Sequence, residues 1–357
     1  MHEEGEGEAA GRIQPISKAV THRICSGQVV LDLATAVKEL VENAIDAGAT
    51  IVEVRLKEYG SQLIEVSDNG SGVKAEDYQA LTLKYHTSKL QTFADLAGLN
   101  TFGFRGEALS SLCALAHVSV VTCTQGQEAG VRLEYAHSGQ LVCQEPCPRA
   151  VGTTVALKDL FSTLPVRHKE FLRNLKREYA KLVGLLQAYA LVAHQVRFLV
   201  TNQAGKAGRQ VLVSTQGGAN NSMRANVVTV LGNKNRVLAG CVRVLPHCCL
   251  SLRRYVSKAA AGVKGDTSRQ FFSINGRPVD LPKAAKVLND TYRSLTSAAN
   301  AGVKPVAILD IHMPPNTYDV NVTPDKRKVF MEAEAQLVAA LEQVGLGAGL
   351  TFHSASR

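Results

Sequence analysis

The sequence lacks several patterns that would assign it to common classes of protein. No apolar run approaches the ~20 residues that a membrane-spanning helix needs, which predicts a soluble protein. The sequence contains neither a GxxxxGKS/T loop nor a GxGxxG string after a first strand, so neither a P-loop nor a Rossmann phosphate site is available. The eight cysteines follow no zinc-ligand spacing, and we interpret them as reduced thiols of a cytosolic or nuclear protein.

Composition and length narrow the possibilities further. His247, Cys248 and Cys249 are zinc-ligand types, but a site there would need ligands from elsewhere in the chain. The first 12 residues are acidic and glycine-rich without an apolar core, so they predict a disordered arm rather than a targeting peptide. A chain of 357 residues predicts two domains. Its net charge of +9 favours a polyanionic partner, nucleic acid above all.

One segment, from Ala34 to Thr50, predicts an amphipathic helix that ends at Gly48. At about 100° per residue, its apolar side chains fall on one face, while three carboxylates and a carboxamide fall on the other: Glu39, Glu42, Asn43 and Asp46. Lys38 is expected at the flank of the helix, offering no i,i+4 partner to Glu39. The acidic face is then expected to repel itself, which fits either a bound cation with phosphates or a surface helix with an acidic stripe.

Alternating strands and helices along the chain predict an α/β protein. A glycine- and asparagine-rich stretch at Gln216–Ser222 predicts the boundary between a first domain (13–215) and a second domain (223–345), followed by a tail (346–357). Three local predictions are a helix that ends near Gly27, one long helix from Arg167 to Val192, and a strand from Asp319 to Val322. Residues 73–102 predict a loop-rich lid over a site.

Residues suited to a nucleotide occur in three separated segments. Glu39 and Asn43 lie one turn apart on the predicted helix; Asn43 offers Mg²⁺ a neutral oxygen, and Glu39 is placed to activate a water as general base. Asp68 follows a predicted strand and could accept from an exocyclic amine, with Gly70 and Gly72 leaving room for a flat ring. Gly103–Leu109 opens a helix, where backbone N–H groups can hold phosphate oxygens.

Six motifs in this order resemble one known family: KELVENAIDAGA, SDNGSG, HTSK, TFGFRGEALSSLCAL, GTTV and DVNVTPDKRKV. They are similar to the N-terminal ATPase region of the MutL mismatch-repair proteins, of the GHKL superfamily that includes gyrase, the ninety-kilodalton heat-shock chaperone and bacterial histidine kinases. The resemblance runs from about Ile16 to Val344. Within the family, residues 25–30 (CSGQVV), SSLCAL and LPVRHKEF look most like the eukaryotic PMS-type subunit.

The resemblance implies a two-layer Bergerat-type α/β sandwich, followed by a domain like the second domain of ribosomal protein S5. It implies that Glu39 is the general base, that Asn43 is the magnesium ligand, and that Lys326 reaches the γ-phosphate from the second domain. It further implies that ATP is bound by Asp68, Gly70, Gly72, Thr87, Ser88, Lys89, Gly103, Phe104, Arg105, Gly106, Glu107, Ala108, Leu109 and Thr153. The cofactors are then ATP and Mg²⁺.

The function implied is a slowly hydrolysing, ATP-dependent clamp of DNA mismatch repair, in the nucleus, with a MutL-homologue partner subunit and MutS-type proteins. An ATP-driven protein-remodelling chaperone is the alternative, although it should lack GFRGEAL, and a binding module whose ATPase has decayed is a third. DNA phosphates are expected to meet a basic helix at Arg173, Lys176 and Arg177. Residues 246–268 look shorter than the PMS pattern, and no DQHAxDE-like endonuclease motif occurs.

Overall fold

The computed structural model describes residues 15–90, 92, 98, 101–206, 208–232, 238–245, 250–257, 262–264, 269–294 and 302–347, with backbone only for 238–245, 264 and 343–347. The predicted arm, the possible zinc ligands at 247–249 and most of the predicted tail lie outside these residues. Among the residues described, no helix is both long and apolar enough to cross a membrane.

The first part of the fold is an α/β sandwich. Its helices are α1 (Lys18–Val29), α2 (Leu33–Asp46), α3 (Ala108–Leu115), α4 (Pro165–Arg173) and α5 (Leu175–Val192). Its strands are β1 (Ile51–Lys57), β2 (Leu63–Asp68), β3 (His117–Cys123), β4 (Gly130–Tyr135), β5 (Leu141–Cys147), β6 (Gly152–Lys158), β7 (Arg197–Gln203) and β8 (Gln210–Ser214). Short 3₁₀ turns occur at Glu58–Gly60, Ala75–Asp77 and Ala80–Thr82.

These strands form one eight-stranded sheet in the order β5-β4-β3-β6-β2-β1-β7-β8. Strands β1 and β7 run parallel, and the other neighbours run antiparallel. Alternate residues of β1, namely Val52, Val54 and Leu56, are buried, because successive side chains of a strand point to opposite faces. They join the apolar residues of α2 and α5 in a single core. The predicted two-layer sandwich is therefore confirmed.

The second part is built on a smaller sheet. Its elements are α6 (Met223–Leu231), β9 (Leu238–Leu245), β10 (Leu250–Ser257), β11 (Val263–Lys264), β12 (Gln270–Ile274), β13 (Arg277–Val279), α7 (Pro282–Ser294), β14 (Val303–Lys304), β15 (Ala307–His312), a 3₁₀ turn (Pro315–Thr317), β16 (Tyr318–Asp319), β17 (Phe330–Met331) and α8 (Glu334–Gly347). Five strands pair in the order β13-β12-β15-β10-β9. Strand β10 lies in the stretch that the sequence left unassigned, and it supplies buried Leu250 and Leu252 to this core.

Helix α1 ends at Val29, two residues after the predicted end near Gly27. Gly27 lies inside the helix, and its carbonyl accepts from Arg167 Nη1 at 2.5 Å. Two other local predictions from sequence are wrong. The predicted helix 167–192 is two helices that break at Asn174, where the side-chain amide bonds the Glu170 carbonyl. The predicted strand 319–322 is limited to Tyr318–Asp319.

Helix α5 belongs to both parts of the fold. One side of it packs against α2 in the first core, while Ala188 and Leu191 pack with α6 and with Phe271 and Ile308 of the second sheet. The predicted boundary at 216–222 is itself tied to the end of α5. The Gly218 amide donates to the Gln195 carbonyl at 2.7 Å, and the Asn221 side chain donates to the His194 carbonyl at 2.8 Å. A shift of α5 in one part of the fold would therefore move residues in the other part.

Candidate functional site

Helix α2 carries the centre of the site and is buried on both faces. Asp32 caps its start by accepting from the Thr35 amide at 2.7 Å, and Gly48, with φ of 75°, follows its end. The apolar side chains of Val37, Leu40 and Val41 are at most 3% exposed, which stabilises the helix by about 1.5–3 kcal/mol for each. The polar face is covered as well, because the second sheet and the end of the lid lie over it.

The expectation that this acidic face repels itself is wrong. Lys38 turns onto it, with Nζ at 2.5 Å from Glu39 Oε1 and at 3.1 Å from Glu42 Oε2. All three side chains are less than 10% exposed. A lysine stem can run along a helix and place its ammonium well away from its own Cα. Lys38 therefore offsets one of the two negative charges from within the same helix, and the second part of the chain supplies the other cations.

Lys326 reaches the same pair of carboxylates from the second part of the fold. Its Nζ lies 3.0 Å from Glu39 Oε2, 3.2 Å from Glu42 Oε2 and 3.3 Å from the Phe102 carbonyl. The residue is only 3% exposed, which excludes a solvated turn lysine. Its φ of 55° puts it in the left-handed region, where a residue with a Cβ is uncommon. The turn after Pro324 therefore holds this backbone in an unfavourable conformation while it directs the ammonium to Glu39.

Charge at this junction is nearly balanced. Burial by itself would raise the pKa of Glu39, but the charges of Lys38 and Lys326 outweigh burial and hold that pKa at about 2. The pKa of Glu42 is lowered by the same two lysines, with help from Arg277, against burial and the charge of Glu39. Three cations therefore face two carboxylates, and the buried cluster carries one net positive charge.

Beside this cluster, Asn43 and Asp46 point at one cationic group. Lys89 Nζ lies 3.1 Å from Asn43 Oδ1 and 2.6 Å from Asp46 Oδ2. Asp46 also accepts the amides of Phe102 and Gly103, at 2.8 Å and 2.9 Å. The two oxygens therefore converge on one position that suits a cation, which fits a metal ion whose remaining ligands are phosphate oxygens and water. Within the described part of the chain, no group of three or more His, Cys, Asp or Glu side chains could hold a metal alone.

Asp68 is the last residue of β2, and the turn that follows it lies against the end of α2. Its Oδ1 accepts from the amides of Gly70 at 2.8 Å and Thr153 at 3.2 Å, and neither bond uses Oδ2. Burial raises the pKa of the Asp68 carboxyl, while these two amides and Arg149 act in the opposite direction. The Ser71 amide donates to the Ala47 carbonyl at 3.0 Å, which joins the turn to the end of α2.

The two glycines of this turn are required by the protein itself. A Cβ on Gly70 would lie 2.8 Å from the Cβ and the carbonyl oxygen of Ala47, and one on Gly72 would lie 2.2 Å from the Cys123 carbonyl oxygen. Gly72 also has a φ of 75°. From the sequence, both glycines were expected to leave room for a flat ring. In the structure the missing side chains make room for neighbouring backbone and for Ala47.

Residues 84–90 of the predicted lid lie against residues 101–109, and these two stretches are called the lid segments below. The Tyr85 amide donates to the Gly106 carbonyl at 2.9 Å, and Lys84 Nζ lies 3.5 Å from Glu107. Gly106 has a φ of 60°, and a Cβ there would lie 2.5 Å from the His86 carbonyl oxygen. Thr87 and Ser88 are exposed; the Thr87 hydroxyl accepts the Lys89 amide at 3.1 Å.

The second lid segment also reaches the second part of the fold. Arg105 donates to the Asn321 side chain, and Phe104 is buried with its ring centroid 5.5 Å from Lys326 Nζ. Ala108 and Leu109 begin α3. Residues 101–109 therefore connect the Asn43 region, α3 and the loop that carries Lys326.

Apart from Thr87, Ser88 and residues 105–109, which lie in the two lid segments, the predicted residues fall into two groups along α2. Glu39, Asn43, Lys89, Gly103, Phe104 and Lys326 meet near its middle, and Asp68, Gly70, Gly72 and Thr153 meet at its end. The basic surface is separate from both. Arg173, Lys176 and Arg177 are exposed on α4 and α5; Arg173 pairs with Glu170 and Arg177 lies 4.0 Å from Glu178.

Sequence reasoning missed several residues at this junction. Lys38 was placed off the polar face, and Asp46 was placed on it without a role. Arg277 donates from Nη1 to Glu42 Oε1 at 3.1 Å, and the Tyr189 hydroxyl donates to the same oxygen at 2.6 Å. An Asn275-Gly276 turn before Arg277 was the one available signal, because such turns present the next residue rigidly. Nothing local pairs Tyr189 with Glu42, 147 residues away.

Comparisons with known proteins indicate the family of this chain. Residues 31–151 match the family of "Histidine kinase-, DNA gyrase B-, and HSP90-like ATPase", and residues 230–344 match "DNA mismatch repair protein, C-terminal domain". The chain is 45% identical to the mismatch repair endonuclease PMS2 of Homo sapiens, covering 97% of this chain and 41% of that protein. It is 46% identical to the DNA mismatch repair protein PMS1 of Arabidopsis thaliana, covering 93% of this chain and 35% of that protein. The chain thus spans about two fifths of the length of these relatives.

Solved structures with the same fold are known as well. A crystal structure of the "N terminal domain of a DNA repair protein" is 38% identical, with a TM-score of 0.79 over 91% of this chain and 96% of that one. The MutL ATPase domain of Aquifex aeolicus complexed with ADP has a TM-score of 0.59 over 89% of this chain and 96% of that one, and at 23% identity it supports the fold alone. The chain therefore belongs to the MutL family of DNA mismatch-repair proteins, and it corresponds to the N-terminal ATPase region of the PMS-type members.

Proposed function

We propose that this chain binds and slowly hydrolyses ATP and uses that cycle as a clamp in DNA mismatch repair. The observation that carries the proposal is the meeting of Lys326 with Glu39, at 3.0 Å, from separate parts of the fold. A reaction centre assembled from two parts can turn over only when both are in position, and for this reason we expect slow hydrolysis.

The nucleotide is proposed to lie along α2. Asp68 accepts a hydrogen bond from the adenine amino group at the end of the helix, supported by Thr153 and the Gly70–Gly72 turn. The triphosphate then runs back toward Glu39, eight residues earlier and about 12 Å along the helix axis. Residues 87–89 and 103–109 cover it, and the net positive charge of the buried cluster suits its anionic phosphates.

The chain's own groups then carry the chemistry. Asn43, with Asp46 nearby, would hold Mg²⁺, which would neutralise charge on the phosphates. Lys326 stabilises the charge on the γ-phosphoryl group. Glu39 orients the attacking water and accepts its proton. Lys326 contacts both Glu39 and Glu42. If it moved toward a γ-phosphate, Glu39 would lose one of its two cationic partners, and the pKa of this carboxylate would rise toward its ordinary range.

The remaining assignments follow from this cycle. We propose that Lys326 lets ATP, but not ADP, draw the second part of the fold and the lid onto the nucleotide. DNA phosphates contact the basic surface at Arg173, Lys176 and Arg177. The partners are DNA, a second MutL homologue and MutS-type proteins, and the site of action is the nucleus. Names of the relatives support mismatch repair as the process.

The test is ATP turnover measured as released phosphate, with and without DNA. Glu39→Gln should bind Mg-ATP with unchanged affinity and hydrolyse it at least about a hundredfold more slowly, since a positioned base contributes 10²–10⁴-fold. Glu65→Gln, on β2 and paired with Arg55 at 2.7 Å, is a control that should leave both quantities unchanged. Wild-type turnover in Glu39→Gln would remove Glu39 as the base, and an absence of turnover in the parent chain would remove the ATPase.

A further inference from the structure

Arg277 joins three elements that the proposed reaction needs in fixed positions. It opens β13 directly after the Asn275-Gly276 turn, where both residues have positive φ values of 49° and 78°. Such a turn is held tightly by its strands, and here Asn275 also donates to the Met313 carbonyl at 2.8 Å. The guanidinium is therefore presented from a rigid base in the second part of the fold.

The Arg277 guanidinium contacts three residues in the first part of the fold. Nη1 donates to Glu42 Oε1 at 3.1 Å, while Nη2 donates to the carbonyls of Phe102 at 2.9 Å and Thr101 at 3.3 Å. Its Cζ also lies 5.0 Å from the centroid of the Phe102 ring. The guanidinium carries its donors on separate nitrogens of one planar group, so it can hold a carboxylate and two carbonyls that lie in different directions, whereas the donors of a lysine all lie on one nitrogen. One side chain thus grips both α2 and the last turn of the lid.

Glu42 accepts hydrogen bonds from four donors, whereas Glu39 accepts from two. Its Oε1 accepts from Arg277 and from the Tyr189 hydroxyl at 2.6 Å, and its Oε2 accepts from Lys38 at 3.1 Å and Lys326 at 3.2 Å. At 1% exposure, with each oxygen holding two donors, it has no room for a water. Its charge instead brings together side chains from α2, α5 and the second part of the fold.

We propose that Arg277 and Glu42 are positioning residues that tie the second part of the fold and the lid end at 101–102 to the helix that carries Glu39. The pair fixes the position of the Lys326 ammonium relative to Glu39, because Lys326 and Arg277 both donate to Glu42. Arg277 also helps to fix the Phe102 carbonyl, which accepts from both Arg277 and Lys326. This role rests on the proposed ATPase, and neither residue touches the nucleotide.

The role predicts a particular separation of kinetic constants. Arg277→Lys keeps a positive charge but cannot span Glu42 and both carbonyls, so kcat should fall at least about tenfold while KM and the Kd for ADP stay within about threefold. Glu42→Gln should show the same pattern. Arg55→Lys replaces a half-exposed arginine that pairs with Glu65 at 2.7 Å, and it should leave kcat unchanged. Full kcat in Arg277→Lys would mean that charge alone suffices and would overturn the tie.

A second arm does not depend on turnover. Arg277→Gln, Glu42→Gln and the double variant are melted without nucleotide, and amide exchange is followed at Phe102 and Gly103. For a direct tie, the double variant melts near the less stable single variant, and each single variant speeds exchange at both amides. Additive losses with unchanged exchange would refute the tie. If the parent chain hydrolyses no ATP, the proposed function fails, while this arm still decides whether the tie exists.

Discussion

Replacing Lys326 by alanine tests whether the two parts of the fold act as one catalyst. The substitution removes a buried ammonium that contacts Glu39, Glu42 and the Phe102 carbonyl. It leaves two cations, Lys38 and Arg277, against two carboxylates, so the cluster becomes neutral. The variant should therefore fold, with a lower melting temperature, because each carboxylate keeps at least one partner.

The magnitude follows from the charge that is lost. An ammonium about 4 Å from a phosphoryl oxygen interacts with it by about 4 kcal/mol at an effective dielectric constant of about 20. Part of this is offset, since Lys326 must first leave Glu39 and Glu42. We therefore expect the barrier to rise by at least about 1.4 kcal/mol, which slows hydrolysis about tenfold or more. ADP has no γ-phosphate, so its affinity should not change.

The assay compares three chains for phosphate release and for ADP affinity. Lys326→Ala should lose turnover and keep ADP binding, whereas Lys328→Ala, two residues on and exposed, should match the parent in both. Circular dichroism at the assay temperature excludes unfolding as the cause. Parental turnover in Lys326→Ala would refute the reasoning, and it would leave the second part of the fold with no share in the chemistry.

Three further predictions concern binding and stability. Asp68→Asn should abolish binding of both ATP and ADP, measured by calorimetry, because the new amide presents a donor to the adenine amino group. The control Asp77→Asn, at an exposed position, should bind both nucleotides normally. Retained affinity in Asp68→Asn would make Asp68 a turn residue only. Reversing Arg173, Lys176 and Arg177 to Glu should weaken DNA binding and flatten its salt dependence, while reversing the exposed Lys283, Lys286 and Arg293 of α7 should not; the opposite result would move the DNA surface to the second part of the fold. Because the pKa of Glu39 falls from 4.5 to about 2 on folding, its contribution to the free energy of unfolding is present above about pH 4.5 and is lost as the pH falls toward 2. Urea titrations at several pH values should therefore show that Glu39→Gln loses less stability on acidification than the parent chain. An identical pH dependence of the two chains would contradict the lowered pKa.

Much of the fold could be predicted because its signals are local. The alternation of Val52, Val54 and Leu56 predicts β1, and apolar spacing with a terminal glycine predicts α2, both within a few residues of the observed bounds. The break at Asn174 escaped because the helical pattern continues on both sides of it. Strand β10 escaped because Arg253 and Arg254 interrupt its alternation.

The candidate site was harder to predict, because its contacts join distant parts of the chain. Helical periodicity assumes one buried face and one solvated face, so it placed Lys38 at a flank. In the structure the polar face is covered, and burial forces Lys38 to pair with Glu39 and Glu42. Lys326 was found through the motif around it, whereas the Asn275-Gly276 turn marks the position of Arg277 but does not indicate its pairing with Glu42, 235 residues away.

The shared use of α5 bears on how the protein is made. Ala188 and Leu191 have no complete cover until Phe271 and Ile308 have been synthesised. At a typical ~5–20 residues per second, the roughly 120 residues between Leu191 and Ile308 take on the order of 6–25 s to emerge. During that interval the nascent chain carries a nearly complete sandwich whose helix α5 exposes the apolar side chains of Ala188 and Leu191. Chaperone capture of the nascent chain is therefore expected to peak before the second sheet closes, and to end when β15 docks.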